Sequence, residues 1–376
     1  MKYTPKKVLT YLMIITSCAT FMTACSSKSQ TGSDNNNNNT SSTESILNEN
    51  TSSEESSTES SGNKSITITT NDDKTVVGIA WRKDEDSEFY TNICKAVEEA
   101  GATWVKLDQV KCADLSYNGE GMLTAGVDDT GALDEISAKY IRNNTWYDSN
   151  AENAVGDVDI VLFTGGEDIS PTLYYTPEEW HGIEEEKDYN AERDVSDYLT
   201  MSYCLDNDIP LMGFCRGMQM LSVISGAEVI QDIPTYFDEL DLEYDYKHRN
   251  QKETPDSYRD YAPHEVVVEK NSLLYDIVGT ELLKGCPSWH HQAVKNVDNT
   301  RLAVTGYTQT NGINIIEAVE RTDKTFAVGL QFHPEAAVVK NLENFENKND
   351  FMNYDTALSV FQWIANGEFI ELKTAA

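Results

Sequence analysis

Ile209-Pro-Leu-Met-Gly213-Phe-Cys215-Arg-Gly217-Met-Gln219 is the stretch on which the fold turns. Its first half, Ile209 to Phe214, is a short apolar run of the kind that forms a buried strand. Its second half continues with helical spacing to about Ser225. Between them lies Gly-x-Cys-x-Gly, a nucleophile-elbow pattern with cysteine at the centre. A sharp strand-to-helix turn puts Cys215 in a strained conformation. Gly213 and Gly217 let the strand and the helix approach without clashing Cβ atoms. The N-terminus of the helix favours a thiolate and offers backbone N–H groups to a developing oxyanion.

Working outward, Thr75–Trp81, Thr103–Leu107 and Val158–Phe163 read as further buried strands. Glu88–Ala100 and Ala191–Asn207 have helical spacing. Strands alternating with helices predict an α/β fold, a mostly parallel sheet with helices on both faces. Ligands of such sheets bind beyond the carboxyl ends of the strands. Val110–Gly156 is long, polar and rich in Gly, Asp and Asn. It reads as an elaborated loop with one helix near Gly131–Arg142, either surface decoration or a pocket wall. Asn311-Gly312 marks a hairpin between Arg301–Thr308 and Ile313–Val319.

Phe326–Phe332 is another strand, and it runs into His333-Pro334-Glu335. Pro334 disfavours a helical His333, and residues two apart on an extended chain face the same side. His333 and Glu335 are therefore expected in one site, His333 taking the thiol proton and Glu335 orienting the imidazole.

Composition narrows the function. The chain has 376 residues with 29 Lys+Arg against 63 Asp+Glu, a net charge of −34. Such acidity argues against nucleic-acid binding and against electrostatic docking on anionic lipid. Lys2, Lys6 and Lys7 precede an apolar run, Val8–Ala24, that ends Met22-Thr23-Ala24-Cys25. This reads as a secretory signal over residues 1–24. Residues 26–72 are Ser, Thr, Asn, Glu and Gly with few apolar side chains, a tether with a reach of roughly 35–40 Å. Cys94, Cys112, Cys204 and Cys286 leave disulfide pairing open. There is no Cys-x-x-Cys. Adjacent His290 and His291 would face opposite sides of a strand and make poor co-ligands, so no metal is expected. Arg193 suits either a substrate carboxylate or a structural acid. His264 and Tyr261 lie either near the site or on the surface.

The elbow and Gln331-Phe-His-Pro-Glu335 together resemble the class I glutamine amidotransferase superfamily. Gly165-Gly-Glu-Asp168-Ile-Ser-Pro171-Thr-Leu-Tyr174, Arg193-Asp194, Gln231-Asp232 and Ser288-Trp-His290-His291-Gln292-Ala-Val294 narrow the resemblance to the gamma-glutamyl hydrolase family, closest to its gamma-glutamyl-gamma-aminobutyrate hydrolase branch. It runs from about Thr75 to Val338, so residues 73–376 are expected to form a glutamine amidotransferase-like hydrolase domain. Met22 to Cys25 resembles a bacterial lipobox with Met in place of the usual Leu, which makes Cys25 the lipidated N-terminus of a protein on the outer face of the cell membrane.

The resemblance implies cleavage of a gamma-glutamyl amide through a thioester, with no cofactor. It assigns Cys215 as nucleophile, His333 as general base then acid, and Glu335 as its orienting group. The oxyanion hole falls on the backbone N–H groups of Gly166 and Arg216. Gln219, Ser288, His290 and His291 fall at the substrate pocket. Gly226-Ala227 and Cys286-Pro-Ser-Trp289 depart from the family pattern without touching the triad. Two other readings compete: the glutaminase component of an amidotransferase, opposed by the export signal and the lack of a G-x-x-x-x-G-K-[ST] loop, and a lipid-anchored binding protein with an idle site. The partner implied is a small gamma-glutamyl substrate; oligomeric state is not given by the sequence.

Overall fold

In the computed structural model, the strand entering the elbow lies in the interior of a mixed sheet. The structure describes residues 74–375 apart from 177–179, 181, 253, 255 and 256. The signal, Cys25 and the tether therefore lie outside the described residues. The chain runs β1 (Val76–Ile79), α1 (Glu88–Glu99), β2 (Thr103–Lys106), α2 (Glu135–Asn144), α3 (Ala151–Val155), β3 (Ile160–Phe163), α4 (Ala191–Asp206), β4 (Leu211–Phe214), α5 (Arg216–Ile224), β5 (Glu228–Ile230) and α6 (Ile233–Glu239). It continues β6 (Ala262–Val268), α7 (Leu273–Val278), β7 (Leu282–Ser288), β8 (Ala293–Asn296), β9 (Leu302–Thr310), β10 (Ile313–Arg321), β11 (Ala327–Leu330), α8 (Pro334–Leu342), α9 (Tyr354–Ala365) and α10 (Glu368–Ala375).

The order across the sheet is β2-β1-β3-β4-β11-β10-β9-β6-β7, with β5 and β8 joined at β10. From β2 to β11 the pairs are parallel. Beyond β11 every pair is antiparallel, and these strands form a wing. The parallel half is buried on both faces, and the side-chain period of two shows how. Ile160 and Leu162 of β3 join one apolar core with α1, α8 and α9, while Val161 and Phe163 join the other with α4 and α5. The fold class expected from the strand–helix alternation is present.

Val110–Gly156 is more ordered than a decorated loop. It holds two helices, α2 and α3, and short bridges such as Cys112–Ser149 and Val127–Leu133. Its side chains and backbone dock on α4, as Leu123 N–H donates to Glu192 and Ala191 N–H to the Gly131 carbonyl. The β9–β10 hairpin forms at Asn311-Gly312, both with positive φ (46° and 84°), as a type I′ turn requires. Cys94, Cys112, Cys204, Cys215 and Cys286 are all buried free thiols. Among the described residues no helix is long and apolar enough to cross a membrane.

Candidate active site

Cys215 caps α5 with φ 50° and ψ −103°, a left-handed conformation that non-glycine residues rarely hold. The turn is tight. A Cβ on Gly213 would come within 2.4 Å of the Gly217 backbone, and one on Gly217 within 2.5 Å of the Phe163 carbonyl. Glycine is therefore obligatory at both flanks. The elbow is tied to the neighbouring strand by Cys215 N–H donating to the Leu330 carbonyl at 2.7 Å.

Parallel pairing of β4 with β11, Phe214 opposite Leu330, brings His333 to the same end of the sheet. His333 caps α8, and Pro334 occupies the first turn. Here the structure corrects the geometric argument from sequence. Glu335 sits in the first turn of a helix, not on an extended chain, and Pro334 is placed where a missing N–H costs nothing. The outcome is still contact: His333 Nδ1 lies 2.6 Å from Glu335 Oε1, both fully buried. Nδ1 faces a carboxylate, so it carries a proton and donates. Burial pushes the His333 imidazole down, but the Glu335 carboxylate and the Cys215 thiol raise it to about 10. Gly165 fits between base and nucleophile, since a Cβ there would meet His333 Cε1 at 2.7 Å and Cys215 Cβ at 3.5 Å.

The loop after β3 is held from behind by two arginines. Arg82 Nη1 donates to the Gly165 carbonyl at 2.9 Å, and Arg193 Nη2 to the Thr164 carbonyl at 2.8 Å. A planar trans peptide then turns the Gly166 N–H away from Arg82. Gly166 lines the cleft with Cys215, and Arg216 begins α5, where backbone N–H groups have no intrahelical acceptor. Both assigned oxyanion donors are thus near the nucleophile. Arg193 takes the structural alternative, pairing with Glu167 at 2.5 Å and Asp197 at 3.4 Å. The Arg216 side chain, wholly buried, is bound by Asp194 and Asp197 of α4. This ionic node clamps the elbow helix to α4. Burial raises Asp194 to about 6 even beside Arg216.

The cleft at Cys215 is lined by Gly166, Glu167, Asp168, Glu186, Asp188, Gln219, Arg249, Trp289, His290, His291 and Gln292. A wider surface depression of about 520 Å³, lined by Tyr175, Ser225, Glu228 and Asn299, shares no residue with it and has no cysteine or histidine in its lining. Gln219 lines the cleft as expected, its Nε2 donating to the Gln292 carbonyl at 3.3 Å. His291 lies between two carboxylates, Nε2 3.2 Å from Asp168 and Nδ1 3.2 Å from Asp232. Carboxylates only accept, so both nitrogens are protonated. Burial opposes this, but the two acids raise His291 to about 10.

Two of the expected pocket residues behave differently. Ser288 is fully buried, its Oγ unpartnered, and it does not line the cleft. His290 borders the cleft, yet its Nδ1 donates to the Gln292 carbonyl at 2.7 Å and its Nε2 faces Glu317 at 3.7 Å. It is not available to a substrate through either nitrogen. Tyr261 is buried with its ring 5.2 Å from that of His333, and His264 is buried in a cluster with Glu317. The region 110–156 contributes nothing to the cleft.

Sequence reasoning passed over Glu186, Asp188 and Arg249. Glu167 is neutralised by Arg193 and Arg82, Asp168 by His291, and Glu186 by Arg249 and Arg259. Asp188 makes no side-chain hydrogen bond or ion pair among the described residues. Burial first, then Glu167 and Asp168, push its carboxyl up. Asp168 falls in the Gly165–Tyr174 motif; Asp188 and Arg249 lie in irregular loops without a sequence signal.

NtpR of Enterococcus hirae is 31% identical over 181 residues, covering 48% of this chain and 68% of that protein. Gamma-glutamyl-gamma-aminobutyrate hydrolase PuuD of Escherichia coli is 31% identical over 157 residues, covering 40% of this chain and 56% of that protein. A solved glutamine amidotransferase of Thermotoga maritima aligns over 79% of this chain and 98% of its own, at 15% identity and a TM-score of 0.41. The peptidase C26 profile matches residues 143–335, a span holding the elbow, the His291 cleft wall and the His-Pro-Glu turn. The chain belongs to the peptidase C26 family.

Proposed function

We propose that this protein hydrolyses gamma-glutamyl amide bonds by cysteine catalysis, through a thioester, at the outer face of the cell membrane. The observation that carries the reading is the strained Cys215 set against a buried His333 bonded to Glu335 at 2.6 Å. With its proton held on His333 Nε2, Cys215 Sγ attacks the gamma-carbonyl carbon as thiolate. The oxyanion receives the Gly166 and Arg216 N–H groups. Collapse breaks the C–N bond, and His333 gives its proton to the leaving amine. Water, deprotonated by His333, then attacks the thioester; glutamate leaves and the thiol is restored.

The charges of the cleft support a free alpha-amino acid end on the substrate. Asp188 is an unmatched carboxylate suited to an alpha-ammonium. Arg249, which with Arg259 outnumbers the single Glu186 carboxylate between them, suits an alpha-carboxylate. A bond at the gamma-carbonyl keeps both groups free, whereas an ordinary alpha-peptide bond consumes one. The Cys25 lipobox and the 26–72 tether hold the enzyme near the membrane in this reading.

The test is amine release from glutamine, gamma-glutamyl-aminobutyrate, gamma-glutamyl dipeptides and gamma-linked muropeptides, with Cys215→Ser as the blank. Turnover of one class, lost in the variant, is expected and names the leaving group. Tight binding without turnover by fully reduced protein refutes the hydrolase reading in favour of a binding protein.

A further inference from the structure

We propose that His248, His264, His290 and Glu317 form a closed binding site for a divalent transition cation, zinc by the chemistry of the donor set, behind the wall of the cleft. One ligand atom from each residue lies within 4.8 Å of all the others, and all four residues are buried. They come from separate parts of the chain: the loop after α6, strand β6, the segment after β7, and β10.

The orientation of the rings is the main argument. His290 Nδ1 lies 2.7 Å from the Gln292 carbonyl, which can only accept, so Nδ1 carries the proton. His290 Nε2 then turns a lone pair toward Glu317 Oε1, 3.7 Å away. His264 repeats the pattern. Its Nδ1 is 3.1 Å from the Glu265 carbonyl and 3.0 Å from Thr308 Oγ1, whose hydroxyl donates to that same carbonyl. Its Nε2 lone pair faces Glu317 Oε2 at 3.6 Å. His248 Nδ1 lies 2.9 Å from Glu317 Oε1. None of these approaches has hydrogen-bond geometry. The Nε2 atoms of His264 and His290, both nitrogens of His248 and both oxygens of Glu317 are buried without a partner. Lone pairs aimed at a buried carboxylate repel unless a positive centre lies between them. Three added protons would put three cations in a dry pocket, whereas one metal ion takes a lone pair from each imidazole and one from Glu317 together.

The surroundings resemble a ligand shell. Two rings are fixed through Nδ1 by backbone carbonyls, as outer partners fix metal-bound histidines. Glu317 sits at a register irregularity of β10 against β9, between Ile316 and Ala318, and β6 is irregular between His264 and Val266. Bulges of this kind re-aim side chains. Three imidazoles and a carboxylate are a tetrahedral zinc set, with neighbouring donors roughly 3.3 Å apart once bound. The 3.6 and 3.7 Å separations need only a small contraction. A site with four protein ligands and no exposure is structural, not catalytic. It would cross-link the loop bearing Arg249 to the segment bearing Trp289 and His291, which already share a bond from His290 N–H to the His248 carbonyl at 3.0 Å.

The test uses the purified full-length chain, dialysed free of loose metal and assayed for bound metals by mass spectrometry. About one zinc per chain is expected, retained in Cys215→Ser and lost from a Glu317→Gln/His264→Gln double variant. Stripping with a chelator should lower Tm by roughly 5–10 °C, and equimolar Zn2+ should restore it. Refilling with Co2+ should give the visible bands of a tetrahedral N/O site. The stripping and refilling use wild-type protein, so they decide the matter even where the double variant does not fold. A metal-free chain whose Tm is indifferent to chelator and to zinc overturns the proposal, as does metal that leaves with Cys215. Neither result bears on the hydrolase reading, which is tested by turnover.

Discussion

Replacing Glu335 by Gln removes one negative charge from a fully buried pair while keeping the shape of the side chain. The 2.6 Å contact with His333 Nδ1 requires a donor on the ring, and the carboxylate also supports the imidazolium that forms when the thiol gives up its proton. A Gln amide can offer its own N–H to Nδ1. The ring then shifts to the tautomer with a proton on Nε2, which cannot take one from Cys215. The electrostatic part has a scale. His333 is raised from 6.5 to about 10 against a burial effect that pushes it down, with the charge of Glu335 the first of the causes raising it. At about 1.4 kcal/mol per pKa unit, that net rise corresponds to roughly 5 kcal/mol. A loss of kcat by about 10³–10⁴ is the same order in free energy and matches what tautomer errors cost in Ser-His-Asp triads.

The assay is amine release by wild-type and Glu335→Gln protein across pH 5–10, with KM measured separately. The expected result is a collapse of kcat with KM within a few-fold, because Glu335 touches no substrate. A variant that keeps kcat within tenfold of wild type, with an unchanged pH profile, would show that His333 is positioned and tuned by something other than Glu335.

Asp188→Asn should raise KM about tenfold or more for substrates with a free alpha-amine, with little change in kcat, since a charged hydrogen bond is worth about 1.5–3 kcal/mol; an unchanged KM would remove Asp188 from ammonium recognition. His291 is raised from 6.5 to about 10 by Asp168 and Asp232, so its contribution to stability is complete below pH 6.5 and lost as pH rises through 10. Urea unfolding at pH 6.5 and 9.5 should show wild type losing about 2–4 kcal/mol more than His291→Gln over that interval, and equal losses would mean the imidazole is not held charged.

What the sequence disclosed about the site follows from how local its causes are. The elbow was legible because its constraint is steric and spans five residues: Gly213 and Gly217 meet backbone at 2.4–2.5 Å, and only glycine fits. The pairing of His333 with Glu335 was legible in outcome, though a helix start and not an extended strand produces it. The clamp of Arg216 between Asp194 and Asp197 was not, because it depends on how α5 packs on α4. Asp188 and Arg249 sit on irregular backbone with no periodicity to reveal a face. The cluster at Glu317 was hidden for a further reason. His290 and His291 point apart, to Glu317 and to Asp168 and Asp232, although they lie between β7 and β8 and not on a strand. Yet the partners of His290 come from three other segments, and a bulge in β10 that no pattern announces aims Glu317 at them.

The position of the cleft separates chemistry from recognition. Cys215 follows β4 and His333 follows β11, adjacent parallel strands whose register sets Gly213 opposite Gly329 and Phe214 opposite Leu330. The distance between nucleophile and base is therefore fixed inside the parallel half, where both faces are covered and a register slip would expose a whole apolar set. Trp289 and His291 come instead from the segment joining β7 to β8, strands of the antiparallel wing, and Arg249 from the loop leading into it. His333 N–H donates to the Pro287 carbonyl at 2.8 Å, and Gln331 N–H to the Glu317 carbonyl at 2.8 Å, so the wing is docked on the strand that carries the base. Substitutions in the wing can reshape the wall of the cleft while leaving the β4–β11 register untouched. Trp289 of Cys286-Pro-Ser-Trp289 lines the cleft from the wing, its ring 5.3 Å from the Arg249 guanidinium, outside the β4–β11 register that sets the nucleophile. On the proposed hydrolase reading, the wing shapes what the cleft accepts, and the parallel half sets which bond is broken.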